Sequence, residues 1–188
     1  MYAVVVDHGL QEGSQQIASN AVMAANILGV TSVEIRDVEV GSDGGMEMAA
    51  RTARRAALLD AAGARPILLG HTANDQAETV MLRLLRGSGA HSLSPMSACS
   101  PPWHRPFLAH LRTDFGVAIS EILTPVGITP RQDPHNFDEA FSRVKMRTHL
   151  DILSADFGPS IVTGLVRSAD MLRVDDQALE QLSVGHFR

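Results

Sequence analysis

The sequence predicts an α/β fold: a parallel sheet with helices on both faces, followed by a helical segment. Short β-branched or apolar runs alternate with longer stretches of helical periodicity. Glycines close the helical stretches at Gly29 and Gly63, and polar turns follow two of the apolar runs. Strands that alternate with helices imply parallel pairing, because each crossover carries the chain back over the sheet.

Tyr2 to Val6 is the first apolar run, and it ends in Asp7-His8-Gly9-Leu10. Ser14 caps a helix to about Leu28, with Ile17, Ala21, Ala24, Ala25 and Leu28 as its apolar stripe. Val33 to Val38 alternates and is β-branched, so it reads as a strand. Together these make a βαβ unit, which is right-handed. Glu47 to Ala62 is the next helix, with Met46, Ala50, Ala53, Ala57 and Ala61 facing inward. Gly41-Ser42-Asp43-Gly44-Gly45 before it reads as a linker. Pro66 to Leu69 is a third strand.

The most informative segment is Leu69 to Thr79, LGHTANDQAET. It places Gly, His, Asn and Asp at the carboxyl end of a strand, where open α/β sheets bind ligands. Thr72 is the expected N-cap of the helix that follows, with Asp75 three residues on in a capping-box-like arrangement. Asp75 and Glu78 share one helix face. Ala77, Val80, Met81, Leu84 and Leu85 mark the opposite, buried face. Carboxylates in such a turn can hold Mg²⁺ on a nucleotide's phosphates. Plain capping and dipole compensation account for the same residues and, taken alone, explain them better.

Beyond Gly87-Ser88-Gly89 the chain turns loop-like through Ser92 to Pro102. Helices are expected at about Leu111 to Leu123, Asp138 to Leu153 and Pro159 to Leu182, with Pro125 to Asn136 irregular. The expected division is a partial α/β domain over residues 1–125 and a distal motif with helices over residues 126–188.

Composition narrows the function classes. A hydrophobic share of 45% is ordinary for a globular chain, and no apolar run approaches a membrane span. No basic region precedes the first strand, so the N-terminus does not read as a signal peptide. A single cysteine, Cys99, excludes an internal disulfide and a Cys-x-x-Cys site. These features fit a cytoplasmic protein. The net charge of −5 argues against general nucleic-acid binding. Two local clusters, Arg51/Arg54/Arg55 and Arg143/Lys145/Arg147, temper that argument, although each also fits a solvated helix face.

VDHGL, LGHTANDQAETVMLRLLRGSG and RQDPHNFDEAFSR together resemble the tRNA(Ile)-lysidine synthetases, which are N-type ATP pyrophosphatases. The resemblance runs to about Leu153, and the long ungapped middle segment is its most specific part. It implies an adenine nucleotide alpha-hydrolase-like sheet, ATP and Mg²⁺ as cofactors, and isoleucine tRNA and L-lysine as substrates. Asp7, His8, Gly70, His71, Asn74 and Glu78 then fall to the nucleotide, and Asp75 to catalysis and metal. Glu47, Arg51, Arg54, Arg105, Asp133, Asn136, Arg143 and Arg147 fall to the tRNA side. Arg105 reads equally as a brace.

Three departures from the family pattern stand out. Arg55 replaces a Tyr, and Val144 replaces an Asn. The family's Ser-Gly-Gly-x-Asp-Ser phosphate loop does not occur in these 188 residues. From that absence follow the expectations of weak ATP binding, an uncovered first strand and a tendency to self-association. A non-catalytic tRNA-binding remnant is the second reading. A tRNA sulfurtransferase is the third, and the lack of paired cysteines argues against it.

Overall fold

The computed structural model describes residues 1–41, 45–93, 96–136, 138 and 141–186. Their contacts divide into two compact units: Met1–Ile67 with Glu121–Pro130, and Leu68–Ser120 with Arg131–Arg188. The linker reading of Gly41 to Gly45 falls largely on Ser42 to Gly44, which lie outside the described residues.

In the first unit, strand β1 (Tyr2–Asp7) pairs parallel with β2 (Ser32–Asp37), in register from Tyr2 opposite Ser32 to Asp7 opposite Asp37. Helix α1 (Ser14–Ile27) is the crossover and packs on both strands. Its start differs from expectation. Gly13, with φ 74°, holds the N-cap position, so no side chain caps the helix, and Ser14 is its first helical residue. A left-handed backbone at that point is open to glycine at little cost. Helix α2 (Met46–Ala62) packs on β1. Ala49 and Ala61 are its buried residues, while Met46, expected inward, is the first helical residue and is 58% exposed. Among the described residues β1 has a strand partner on one side only.

The α/β class with a parallel pair and packed helices therefore holds, and one strand assignment changes. The run expected as Pro66 to Leu69 is a two-residue strand, β3 (Ile67–Leu68), in a three-stranded sheet of order β3-β5-β4. β4 (Cys99–Ser100), at the end of the stretch expected as loop, and β5 (Trp103–His104), just beyond it, form an antiparallel hairpin. The Leu69 N–H donates to the His104 carbonyl at 2.8 Å, so the hairpin fixes the chain just before the LGHTANDQAET turn.

The second unit is built around helix α3 (Ala73–Leu84), which packs against α6 (Ser142–Phe157) and α7 (Ser160–His186). Its core joins Ala73 and Ala77 to Met146, Leu150 and Val162, flanked by Met81, Leu82 and Leu165. Small alanines let the helices approach closely, and the longer side chains fill the space between them. A short helix α4 (Ala90–Leu93) also lies on α7, and α5 (Asp114–Leu123) has no buried residue. Leu84 and Leu85, expected on the buried face of α3, are 50% and 70% exposed, and α3 ends at Leu84 with Leu85 as its C-cap. No described helix is long and apolar enough to cross a membrane.

Candidate functional site

Thr72 has the extended backbone of an N-cap, and α3 begins at Ala73. The Thr72 N–H and hydroxyl donate to Asp75 Oδ2 at 2.7 and 2.9 Å, so the side chain of Asp75 closes the capping box. The irregular segment after β5 is strapped to this turn. The Ala73 N–H donates to the His110 carbonyl at 2.8 Å, and the Arg112 N–H donates to Asn74 Oδ1 at 2.9 Å. That strap delivers the Arg112 guanidinium to both carboxylates, 3.3 Å from Asp75 Oδ1 and 3.3 Å from Glu78 Oε1.

Glu78 is 1% exposed, the most deeply buried charged group described here. Arg147, from α6, reaches its Oε1 at 3.1 Å. Its other oxygen, Oε2, is buried with no hydrogen-bond partner among the described residues. A buried carboxylate oxygen left this way is costly unless something donates to it or coordinates it. One helical turn from Asp75, Thr79 accepts from Arg143 of α6 at 3.3 Å. Burial pushes the Asp75 carboxyl up. The Thr72 hydrogen bonds, with Arg112 and His71, outweigh burial and hold it below its ordinary range. Asp75 is thus ionised at neutral pH.

The structure thereby brings Asn74, Asp75, Glu78, Arg143 and Arg147 together around the first turns of α3, with His71 close enough to act on Asp75. Gly70 lies exposed in the turn before them. Arg147 also faces a cleft of about 490 Å³ lined by Arg131, Gln132, Asn136, Val144, Thr148 and Asp151. Asn136 belongs to this cleft, and Asp133 accepts the Asn136 N–H at 2.9 Å in the turn beneath it. Arg105 is 6% exposed and donates to the Ser97 carbonyl at 2.7 Å, which makes it a brace of the hairpin's entry.

The first unit holds the other named residues. Asp7 is buried at the end of β1 and accepts the Gly9 N–H at 2.9 Å, fixing the turn that carries His8. Burial and the nearby Arg54 push the His8 imidazole below its usual pKa, against an opposing pull from Asp7. Arg54 of α2 is therefore within electrostatic reach of the β1 terminus. Glu47, Arg51 and Arg54 are spaced to share one face of α2.

Arg112 is the residue the sequence did not reveal. It sits in an irregular stretch with no period, and the one local signal was its place just before a helix opening at Asp114.

A parallel β1-α1-β2 unit and a capped, acid-bearing helix α3 define an α/β protein, and comparison with known proteins places the chain more closely. A family model described as a PP-loop domain matches residues 1–152. The chain belongs to that family. It is 47% identical over 182 residues to the tRNA(Ile)-lysidine synthase of Nocardia farcinica, covering 96% of this chain and 56% of that protein. It is 44% identical to the one of Rhodococcus jostii, covering 96% and 55%. The chain thus spans about half the length of the curated relatives it matches. Among solved structures, the U34-tRNA thiolase NcsA from Methanococcus maripaludis, with its 4Fe-4S cluster, overlays with a TM-score of 0.67. That match has 16% identity and covers 91% of this chain and 61% of the other, a likeness of fold. The family resemblance drawn from the motifs is borne out.

Proposed function

We propose that this chain is part of a tRNA(Ile)-lysidine synthase that joins lysine to the wobble cytidine of isoleucine tRNA at the expense of ATP. The observation that carries the reading is the buried Glu78 carboxylate. It is fixed by Arg112 and Arg147, and one oxygen is left for a cation. The similarity to lysidine synthases supplies the substrate class.

In this reaction the cytidine C2 oxygen attacks the α-phosphate of ATP, and pyrophosphate leaves. The lysine ε-amine then forms a bond to C2, the C2–O bond breaks, AMP departs, and the amine's proton passes to solvent. One oxygen of the pair fits a divalent cation: Glu78 Oε2 is without a partner among the described residues, whereas Asp75 Oδ2 is taken by Thr72 and Oδ1 by Arg112. Glu78, joined by Asp75 once its Oδ1 turns from Arg112, would hold Mg²⁺, which would neutralise charge on the phosphates. The lowered pKa of Asp75 makes it a weak base, so its part is to orient the incoming ammonium or amine rather than to take its proton. Arg112 and Arg147 fix the Glu78 carboxylate before any substrate arrives, which removes a reorganisation cost from the reaction. By the family resemblance, His8, kept neutral, would line the adenosine region without adding charge, and Arg51, Arg54 and Arg143, each on a helix of its own unit, would contact phosphates.

A sulfur-transfer role like that named for the structural neighbour lacks support here, since this chain carries one cysteine, Cys99, and it is exposed. The test is lysine incorporation. The protein carrying this chain should attach labelled lysine to a tRNA(Ile) transcript only when ATP is present. Glu78→Gln should lower the rate by tenfold or more, on the order of one lost charge-assisted contact. Undiminished incorporation by a folded Glu78→Gln protein, or none by the unaltered protein, would overturn the proposal.

A further inference from the structure

We propose that His91, Asp176 and Glu180 form a binding site for a divalent transition-metal ion of the zinc class, and that the ion clips α4 to α7. The site belongs to none of the groups around α3 described above.

Asp176 and Glu180 are one turn apart on α7, so their carboxylates rise from the same face of the helix. His91 comes from α4, which packs on α7. One ligand atom from each of the three lies within 4.8 Å of the others. His91 Nδ1 is 2.6 Å from Asp176 Oδ2, so the imidazole is already turned toward the carboxylate. The Asp176 side chain is 21% exposed and that of His91 77% exposed, so the group is open to an ion from solvent.

The geometry needs only side-chain adjustment. Around an ion with bonds of about 2.0–2.2 Å, tetrahedral ligand atoms sit roughly 3.3–3.5 Å apart. The close His91–Asp176 contact has to open slightly, and Glu180 starts within 4.8 Å of both. The adjustment is one of side-chain rotation, so no helix shifts.

The donor set states the preference. One imidazole nitrogen and two carboxylate oxygens suit Zn²⁺, Co²⁺ or Ni²⁺, whereas Mg²⁺ holds its water and favours oxygen alone. Three ligands leave the remaining positions to water, and solvent exposure keeps the affinity below that of closed four-ligand sites. Because the ligands come from two elements far apart in sequence, binding ties α4 to the C-terminal half of α7. Linkage then requires the folded protein to gain stability as the ion saturates it.

The experiment is a titration of the metal-free protein with Co²⁺, followed by visible absorption, and with Zn²⁺, followed by calorimetry, both with Mg²⁺ present. One ion per chain should bind, and the melting temperature should rise on saturation. His91→Ala and Glu180→Gln should each weaken binding by about tenfold or more, the scale expected when a ligand or its immediate support is lost. Both substitutions are at exposed positions, so each variant should melt like the parent without metal. Absence of saturable binding would overturn the proposal. So would equal binding by either variant, which would place the ion on other histidines of the chain.

Discussion

The Arg112–Glu78–Arg147 cluster predicts an asymmetry that a simple contact count would miss. The Glu78 side chain is 2% exposed, whereas those of Arg147 and Arg112 are 32% and 41% exposed. Removing Arg147 leaves a buried negative charge with one remaining contact, the 3.3 Å approach of a partly solvated guanidinium. Breaking a buried pair in this way costs about 3–5 kcal/mol when the charge left behind stays dry. Arg112 offsets part of that, so Arg147→Met should cost about 2–4 kcal/mol. Removing the other partner is milder. In Glu78→Gln the charge disappears from the interior, both guanidiniums turn toward water, and the loss is about 1–2 kcal/mol of charge-assisted bonding.

The double variant decides the matter. With no buried charge to strand, Glu78→Gln/Arg147→Met should be more stable than Arg147→Met alone. Urea unfolding read by the fluorescence of Trp103 is the assay, since this is the chain's single tryptophan and is 6% exposed in the same unit. Thermal melts should agree, at about 2–4 °C per kcal/mol for a chain of this length. If Arg147→Met proves no worse than Glu78→Gln, or the double variant is worse than both, the stranded-charge argument fails.

Other expectations follow from single sites. Thr72→Ala and Asp75→Ala should each cost about 1 kcal/mol, and together less than their sum, because the two share one capping box; additive losses in denaturant melts would contradict the shared cap. The lowered His8 pKa means that the unfolded chain takes up its proton first as pH falls. The stability tied to neutral His8 is therefore complete above about pH 6.5 and is lost as pH drops through the folded value. A His8→Gln protein should show a flatter stability profile below about pH 6.5, and an unchanged profile would refute that linkage. Asp75 has the carboxylate sense: its lowered pKa gives stability present above about pH 3.9 and lost on further acidification, so Asp75→Asn should flatten the acid limb. Cys99, exposed in the native fold, should react with a thiol reagent as fast as in the unfolded chain.

What the sequence disclosed and what it hid divide along the range of the interactions. Local rules placed α3 well. A Thr at the cap and an Asp three residues later satisfy backbone donors within one turn, and the structure closes that same box. The β1-α1-β2 unit was equally legible, because β-branched runs and glycine stops act over a few residues. The pairing of β3 with a hairpin was not. Two-residue strands carry no period, and the bond from Leu69 to His104 spans residues that local pattern cannot relate. The candidate site follows the same division. Asp75 and Glu78 were visible as a shared helix face, and Arg143 and Arg147 as a spaced pair matching a family pattern. How completely Glu78 is buried was not visible, since helical spacing places it opposite the apolar stripe, on the face that carries Asp75. The buried carboxylate is met by Arg147 and by Arg112, and the Arg112 backbone is held by Asn74 in the first turn of α3. The turn that caps the helix thus also anchors the stretch of chain that carries Arg112 to Glu78. One short segment, LGHTANDQAET, therefore sets both the start of α3 and one of the two cation contacts to its buried acid.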